Sequence, residues 1–131
     1  MRVLALDYGS ARCGCALSDP TGTIATPLET VSRPRSRAGL ASLAALVSAQ
    51  GAERVVVGLP LSLRGTDSAQ TVETRSFARE LQRALGDDVP VELYDERFTT
   101  RIAQRTGNGG ASEDSRAAAV LLESWLTARE R

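Results

Sequence analysis

The chain opens on Val3-Leu4-Ala5-Leu6-Asp7-Tyr8-Gly9, an apolar run that ends in one carboxylate and then a glycine. This pattern reads as a buried strand that carries Asp7 to its C-terminal edge, with Gly9 turning the chain back. In α/β sheets that edge is where chemistry usually gathers. Two later acidic residues, Glu96 and Asp114, occupy similar boundaries: one follows a strand pattern and the other precedes a helix pattern. The expectation is that the fold brings these three carboxylates together around a divalent metal ion.

The intervening pattern allows this. Arg12–Ser18 resumes as a strand with Cys13, Cys15 and Leu17 on one face, and the short link makes it an antiparallel partner of the first. Asp19-Pro20-Thr21-Gly22 is a turn signal, and a third strand is expected over 24–31, interrupted or ended near Pro27. Leu40, Leu43, Ala44 and Val47 recur at helical spacing over 36–50, with Gly51 as the C-cap. Val55-Val56-Val57 lies in a strand over 53–59 and, being unalternated, suits a central position covered on both faces. A loop over 59–66 leads to a helix capped by Thr66 or Asp67 and ending near Leu85. A fifth strand is expected over 89–94, a short helix over 98–105, a glycine-rich loop or lid over 106–113, and a last helix over 115–128 with Asp114 at its start. The sum is one α/β domain over 1–131. Its five-stranded mixed sheet has strands one to three antiparallel, strands one, four and five parallel, and helices on both faces.

Composition restricts the chemistry. Acidic and basic residues number 16 each, so no strongly basic footprint marks a nucleic-acid binder, and any such partner must be met by a local patch. Every basic residue is arginine, which suits bidentate phosphate contacts but also follows from biased genome composition. The absence of histidine excludes histidine general bases and Ser-His-Asp or Cys-His nucleophile systems. The absence of lysine excludes a P-loop and a Schiff base. Cys13 and Cys15, too close for an unstrained disulfide, read as small buried hydrophobes. Carboxylates remain, and they suit Mg²⁺ or Mn²⁺. No run is long enough to span a membrane and the chain enters its first strand without a signal-peptide pattern, so a cytoplasmic location is expected.

Each acidic residue also has an ordinary reading: Asp7 as a turn residue, Asp114 as a helix N-cap, Glu96 as a rim carboxylate paired with Arg97 or Arg101. The triple is more specific than its members. Three clustered carboxylates repel, and a divalent ion relieves the repulsion, acidifies a bound water and, as a pair, clamps both oxygens of a phosphodiester. Asp95 and Glu96 point to opposite faces of an extended segment, so only one enters the site, and the spacing does not choose between them. Arg97, Arg101 and Arg105 form an i, i+4, i+8 row that either tracks phosphates or is a solvated face. Arg33, Arg35 and Arg37 form a second patch. Gly9, Arg12, Arg64, Thr99 and Thr100 are further candidates for contact with substrate.

Leu4–Gly9, Val57-Gly58-Leu59-Pro60-Leu61, Gly65-Thr66, Asp95-Glu96-Arg97-Phe98-Thr99-Thr100 and Asp114-Ser115 with Ala117-Ala118 occur in this order, and together they closely resemble the YqgF/RuvX family. The resemblance covers nearly the whole chain. It implies an RNase H-like fold and a metal-dependent nuclease, with the acidic triad on Asp7, Glu96 and Asp114, thereby preferring Glu96 to Asp95. It also implies that Arg97, Thr99 and Thr100 support the site or the nucleic-acid backbone. Family members are described as cytoplasmic bacterial nucleases of pre-16S rRNA 5′-end maturation, and some as resolving Holliday junctions. The implied partners are precursor rRNA or branched DNA, with ribosomal assembly factors beside them, and the protein is expected as a monomer or homodimer. Arg116 departs from the family, standing where an apolar residue is usual.

Two other classes compete. A non-cleaving RNase H-like module would bind RNA or ribosomal proteins, and the three intact acidic residues weigh against it. The Asp-Tyr-Gly turn also resembles the first phosphate loop of sugar kinases and actin-like ATPases, but those need a second domain and a second phosphate loop.

Overall fold

The structure, a computed structural model, describes residues 1–62, 64–65, 67–98 and 112–129. The strands are β1 (Val3–Asp7), β2 (Arg12–Ser18), β3 (Ala25–Pro27), β4 (Val31–Ser32), β5 (Arg54–Leu59) and β6 (Val91–Asp95). The helices are α1 (Arg37–Gln50), α2 (Ala69–Leu85) and α3 (Glu113–Arg129), and a single 3₁₀ turn, Glu96–Phe98, follows β6. The sheet order is β3-β2-β1-β5-β6, with β4 also on β2. β1 and β2 are antiparallel, whereas β1, β5 and β6 run parallel, as the crossover lengths require. This is the expected mixed sheet, with one refinement.

The expected third strand is two short ones separated by a bulge. β3 pairs with β2 in the register Ala16–Pro27, whereas β4 pairs in the register Cys13–Val31, a slip of one residue. Pro27 supplies no amide to a ladder, and the extra residue between the two pieces is accommodated as a β-bulge. The slip points Val31 to the same side as Cys13, into the core.

Side-chain alternation divides the core into two layers. Leu4, Leu6, Cys13, Cys15, Leu17, Val55 and Val57 face α1 and α2, where Leu43, Val47, Phe77 and Leu81 cover them. Val3, Ala5, Ala16 and Val56 face the other way, onto Ala118, Leu121, Leu122 and Trp125 of α3. Cys13 and Cys15 are free, buried and on one face, as expected. Among the described residues no helix is long and apolar enough to cross a membrane.

Local signals set the helix ends. The Ser36 hydroxyl accepts from Gly39 N at 2.9 Å and caps α1, and Gly51, left-handed at φ 64°, ends it. At α2 the cap is Ser68, which accepts from Thr71 N at 3.2 Å. It is not Thr66 or Asp67: the Asp67 carboxylate is drawn instead to Arg75 at 3.2 Å. At α3 the cap is Ser112, whose hydroxyl accepts from Ser115 N at 3.1 Å. Asp114 is therefore not the cap but a first-turn residue, where its charge suits the helix dipole and its carboxylate is left for other partners. The short helix expected over 98–105 and most of the expected 106–113 loop lie outside the described residues.

Gly14 fixes how α3 meets the sheet. A Cβ there would sit 2.0 Å from the Asp114 carbonyl oxygen, so the first turn of α3 rests directly on the β2 backbone. Next to it, Cys15 N donates to the buried Ser115 hydroxyl at 3.2 Å. Gly14→Ala is therefore expected to destabilise the protein by about 3 kcal/mol, the upper end for overpacking, because backbone rather than a flexible side chain must move. Urea unfolding measures this, and an unchanged midpoint would contradict the close approach.

Candidate active site

The site is built on the α3 face of the sheet, at the C-terminal ends of the parallel strands. Val3 and Ala5 face α3, so the two-residue period places Asp7 on that face as well. Its neighbour Tyr8 points the other way. The Tyr8 ring stacks on Phe77 at 4.6 Å and its hydroxyl donates to Glu73, which anchors the strand end to α2. Burial and Glu73 push the Tyr8 phenol up to about 12.

Asp7 is flanked by two glycines. On one side it is paired with Gly14 of β2, over which α3 brings Asp114. On the other side Gly58 of β5 stands one residue beyond the Leu6–Val57 pair. A Cβ on Gly58 would lie 2.8 Å from Glu96 Oε1, so the Glu96 side chain folds across the bare β5 backbone. It reaches Asp7, two strands away from its own, and the two carboxyl groups are in hydrogen-bond contact. Asp95, the other candidate, leaves on the opposite face. It accepts from the Arg97 guanidinium at 2.6 Å (Nη2) and about 3.0 Å (Nε), and that cation holds its carboxyl below the usual range.

Two carboxyls in contact share a proton unless a cation replaces it. Burial raises Glu96 first of all, and the adjacent Asp7 charge raises it further, to about 7. Burial likewise raises Asp7; the contact with Glu96 opposes this and the charge of Asp114 adds to it. Asp114 is thus near enough to be felt, but its own carboxylate accepts from Arg12 Nε at 3.0 Å. Among the described residues no three carboxylates or thiols stand arranged around a common ion position. The donors nevertheless fit a hard divalent cation: all are carboxylate oxygens, two are in contact, and among the described residues the third is held by a solvent-exposed arginine. A cavity of about 260 Å³ opens beside Asp114, lined by Glu113, Arg116 and Ala117 as well.

The remaining candidates are placed as follows. Gly9 forms the tight β1–β2 turn, where a Cβ would lie 2.7 Å from the Arg12 carbonyl oxygen. Arg64 is exposed in the loop after β5. Gly65 of that loop, at φ 78°, lies beside the Arg97 guanidinium. Arg35, from the second basic patch, is engaged by Glu80 through two hydrogen bonds at 3.0 and 2.7 Å. Thr99, Thr100, Arg101 and Arg105 lie outside the described residues. The sequence reading did not assign Gly14 and Gly58 their roles. The available signal was a glycine inside each strand pattern, which marks close backbone approach.

The sheet order, the helices on both faces and the convergence of acidic residues at the parallel strand ends define an RNase H-like α/β domain. Its backbone overlays T. thermophilus RuvC, solved with a Holliday junction substrate, at a TM-score of 0.69 and 17% identity, covering 99% of this chain and 96% of that one. A Fowlpox virus resolvase overlays at 0.54 and 8% identity with full coverage of both. The family model "RuvX: Holliday junction resolvase" matches residues 1–128, and the chain belongs to that family, YqgF/RuvX. A protein of Anaeromyxobacter sp. (strain Fw109-5) named "Putative pre-16S rRNA nuclease" is 44% identical over 137 residues, 98% of each chain. One of the same name from Moorella thermoacetica is 41% identical over 131 residues, covering all of this chain and 82% of the relative.

The raised Glu96 carboxyl has a measurable consequence. A carboxyl raised from 4.5 to about 7 on folding stabilises the protein below its unfolded value, and this contribution is lost as pH rises through the folded value. In chelator-treated protein, wild type should lose about 1–2 kcal/mol relative to Glu96→Gln between about pH 4.5 and 8, after solvent screening. Glutamine keeps a donor toward Asp7 but does not titrate, so parallel stability profiles for the two proteins would contradict the contact. At Gly58 the nearest atoms to an added Cβ all belong to the flexible Glu96 side chain rather than to backbone. Gly58→Ala should cost no more than about 1 kcal/mol yet lower the Glu96 pKa, as followed by carboxyl NMR.

Proposed function

We propose that this protein is a divalent-metal-dependent phosphodiester hydrolase that trims the 5′ end of precursor 16S rRNA in the bacterial cytoplasm. The observation that carries the reading is the contact of Asp7 and Glu96 across Gly58, with Asp114 beside them on the first turn of α3. Family membership supports it, since the resemblance to the YqgF/RuvX family implies a metal-dependent nuclease. The relatives' names support the choice of RNA substrate.

Asp7, Glu96 and Asp114 would hold Mg²⁺ or Mn²⁺, one ion or two. Such an ion supplies a water acidified to near-neutral pKa and neutralises charge on the phosphate. The chain's own residues do the rest. Asp7 and Glu96 give up their shared proton and become the anionic floor of the site. The rigid ends of β1 and β6 hold that floor in place, so little reorganisation is left for the reaction. Arg12, paired with Asp114, and Arg116, which lines the cavity beside it, would receive phosphate oxygens of the nucleic-acid backbone. Arg64, Arg97, Thr99, Thr100 and Arg101 extend that contact in this reading, with Gly9 keeping the β1–β2 turn tight beside it.

A second reading follows from the description of the family model as a Holliday junction resolvase. A four-way DNA junction is two-fold symmetric and requires a two-fold dimer, whereas end trimming does not.

Both readings are tested by offering Mn²⁺, a precursor 16S 5′-leader RNA and a synthetic four-way DNA junction to the wild-type protein, with Asp7→Asn and Glu96→Gln as controls. Cleavage of the leader alone, reduced at least about a hundredfold in both variants, is expected. Cleavage confined to the junction would replace the first reading with the second. Binding of either nucleic acid without cleavage would leave a non-catalytic module.

A further inference from the structure

We propose that Arg12 competes with the divalent cation for Asp114, so that cation uptake and release of this arginine are a single exchange. The proposal rests on the reading of Asp7, Glu96 and Asp114 as the cation-holding set. Arg12 Nε lies 3.0 Å from Asp114 Oδ2, and the two side chains are 64% and 40% exposed. Among the described residues, Asp114 is the one member of the three whose carboxylate is held by a guanidinium. Asp7 and Glu96 lean on each other instead.

The backbones of both partners are fixed. Arg12 begins β2, where it pairs with Ser32, and Gly9 packs against its carbonyl oxygen. The Asp114 main chain rests on Gly14. Neither main chain can withdraw, so the contact can be broken only by side-chain rotation. Exposed ion pairs of this kind are weak, with an equilibrium preference of only a few-fold, so a divalent ion can displace the arginine. A lone pair that faces a guanidinium cannot face a cation, and the two positive charges repel at such range. In this exchange Asp114 is withheld until the ion arrives. Arg12 is then released at the mouth of the site with its full set of donors, suited to the anionic phosphodiester of a nucleic acid. Cation and phosphate would each favour the other through this residue.

Calorimetric titration with Mn²⁺ alone tests the exchange, using wild type, Arg12→Gln, Asp114→Asn and the double variant. Arg12→Gln should bind Mn²⁺ about three- to fivefold more tightly than wild type, because the competitor is gone. In the Asp114→Asn background the same replacement should change affinity by less than about twofold, because there is nothing left to compete for. Unchanged or weaker binding in Arg12→Gln overturns the proposal. An equal gain in both backgrounds also overturns it, since that is charge acting at a distance. Asp7→Asn separates this from failure of the underlying reading: if that variant takes up Mn²⁺ as wild type does, the cation site itself is wrong, whatever Arg12 does.

Discussion

Carboxylates brought together in a protein repel one another, and the described structure relieves that repulsion in two ways. Burial and the neighbouring Asp7 raise the Glu96 carboxyl to about 7, and Asp114 leans on an arginine. Both arrangements are readily undone, because a proton held at about 7 leaves near neutrality and an exposed ion pair exchanges quickly. The same groups placed in separate ordinary environments would need neither device. The fold therefore concentrates acidic groups at one strand end, at some cost to its own stability.

The geometry that concentrates this charge depends on absent side chains as much as on present ones. Gly14 and Gly58 flank Asp7 on the two neighbouring strands and face the same side of the sheet. One admits the first turn of a helix and the other a glutamate from two strands away. With a side chain at both positions, three acidic residues could stand at the edge of this sheet without meeting. The opposite face of the same strand end carries Tyr8, stacked on Phe77 and bonded to Glu73, so the residue that presents the charge is set rigidly by its neighbour in the core.

Much of this was legible in the sequence. β1 and β2, the central position of Val55–Val57, the burial of Cys13 and Cys15, and the delivery of Asp7 to the end of β1 all follow from apolar runs and the two-residue period. The miscounts have local causes. The break between β3 and β4 turns on a one-residue bulge, which leaves no mark in an apolar pattern beyond Pro27. The α2 cap moved to Ser68 because Asp67 had a competing arginine eight residues on, and pairings of that kind form only once the helix exists. Asp114 was assigned to a boundary that Ser112 occupies. Serine and aspartate are nearly equivalent caps, and the sequence alone does not separate them. The choice of Glu96 over Asp95, open to the residue pattern and made by family resemblance, has a structural counterpart in the opposite faces that the two side chains take.

The position of α3 has a consequence for the order in which the molecule becomes complete. Among the described residues α3 alone covers its side of the sheet, and its first turn brings in an acidic group from 102 residues beyond Arg12. Chains are synthesised from the N-terminus, and long-range contacts form after local ones. The segment that closes the second hydrophobic layer is thus also the segment that delivers the third carboxylate. A nascent or truncated chain lacking α3 has an open apolar face and an incomplete acidic cluster, and both defects are repaired in the same docking step. Assembly of the cluster is thereby tied to completion of the fold, so that a chain still being made carries no finished site.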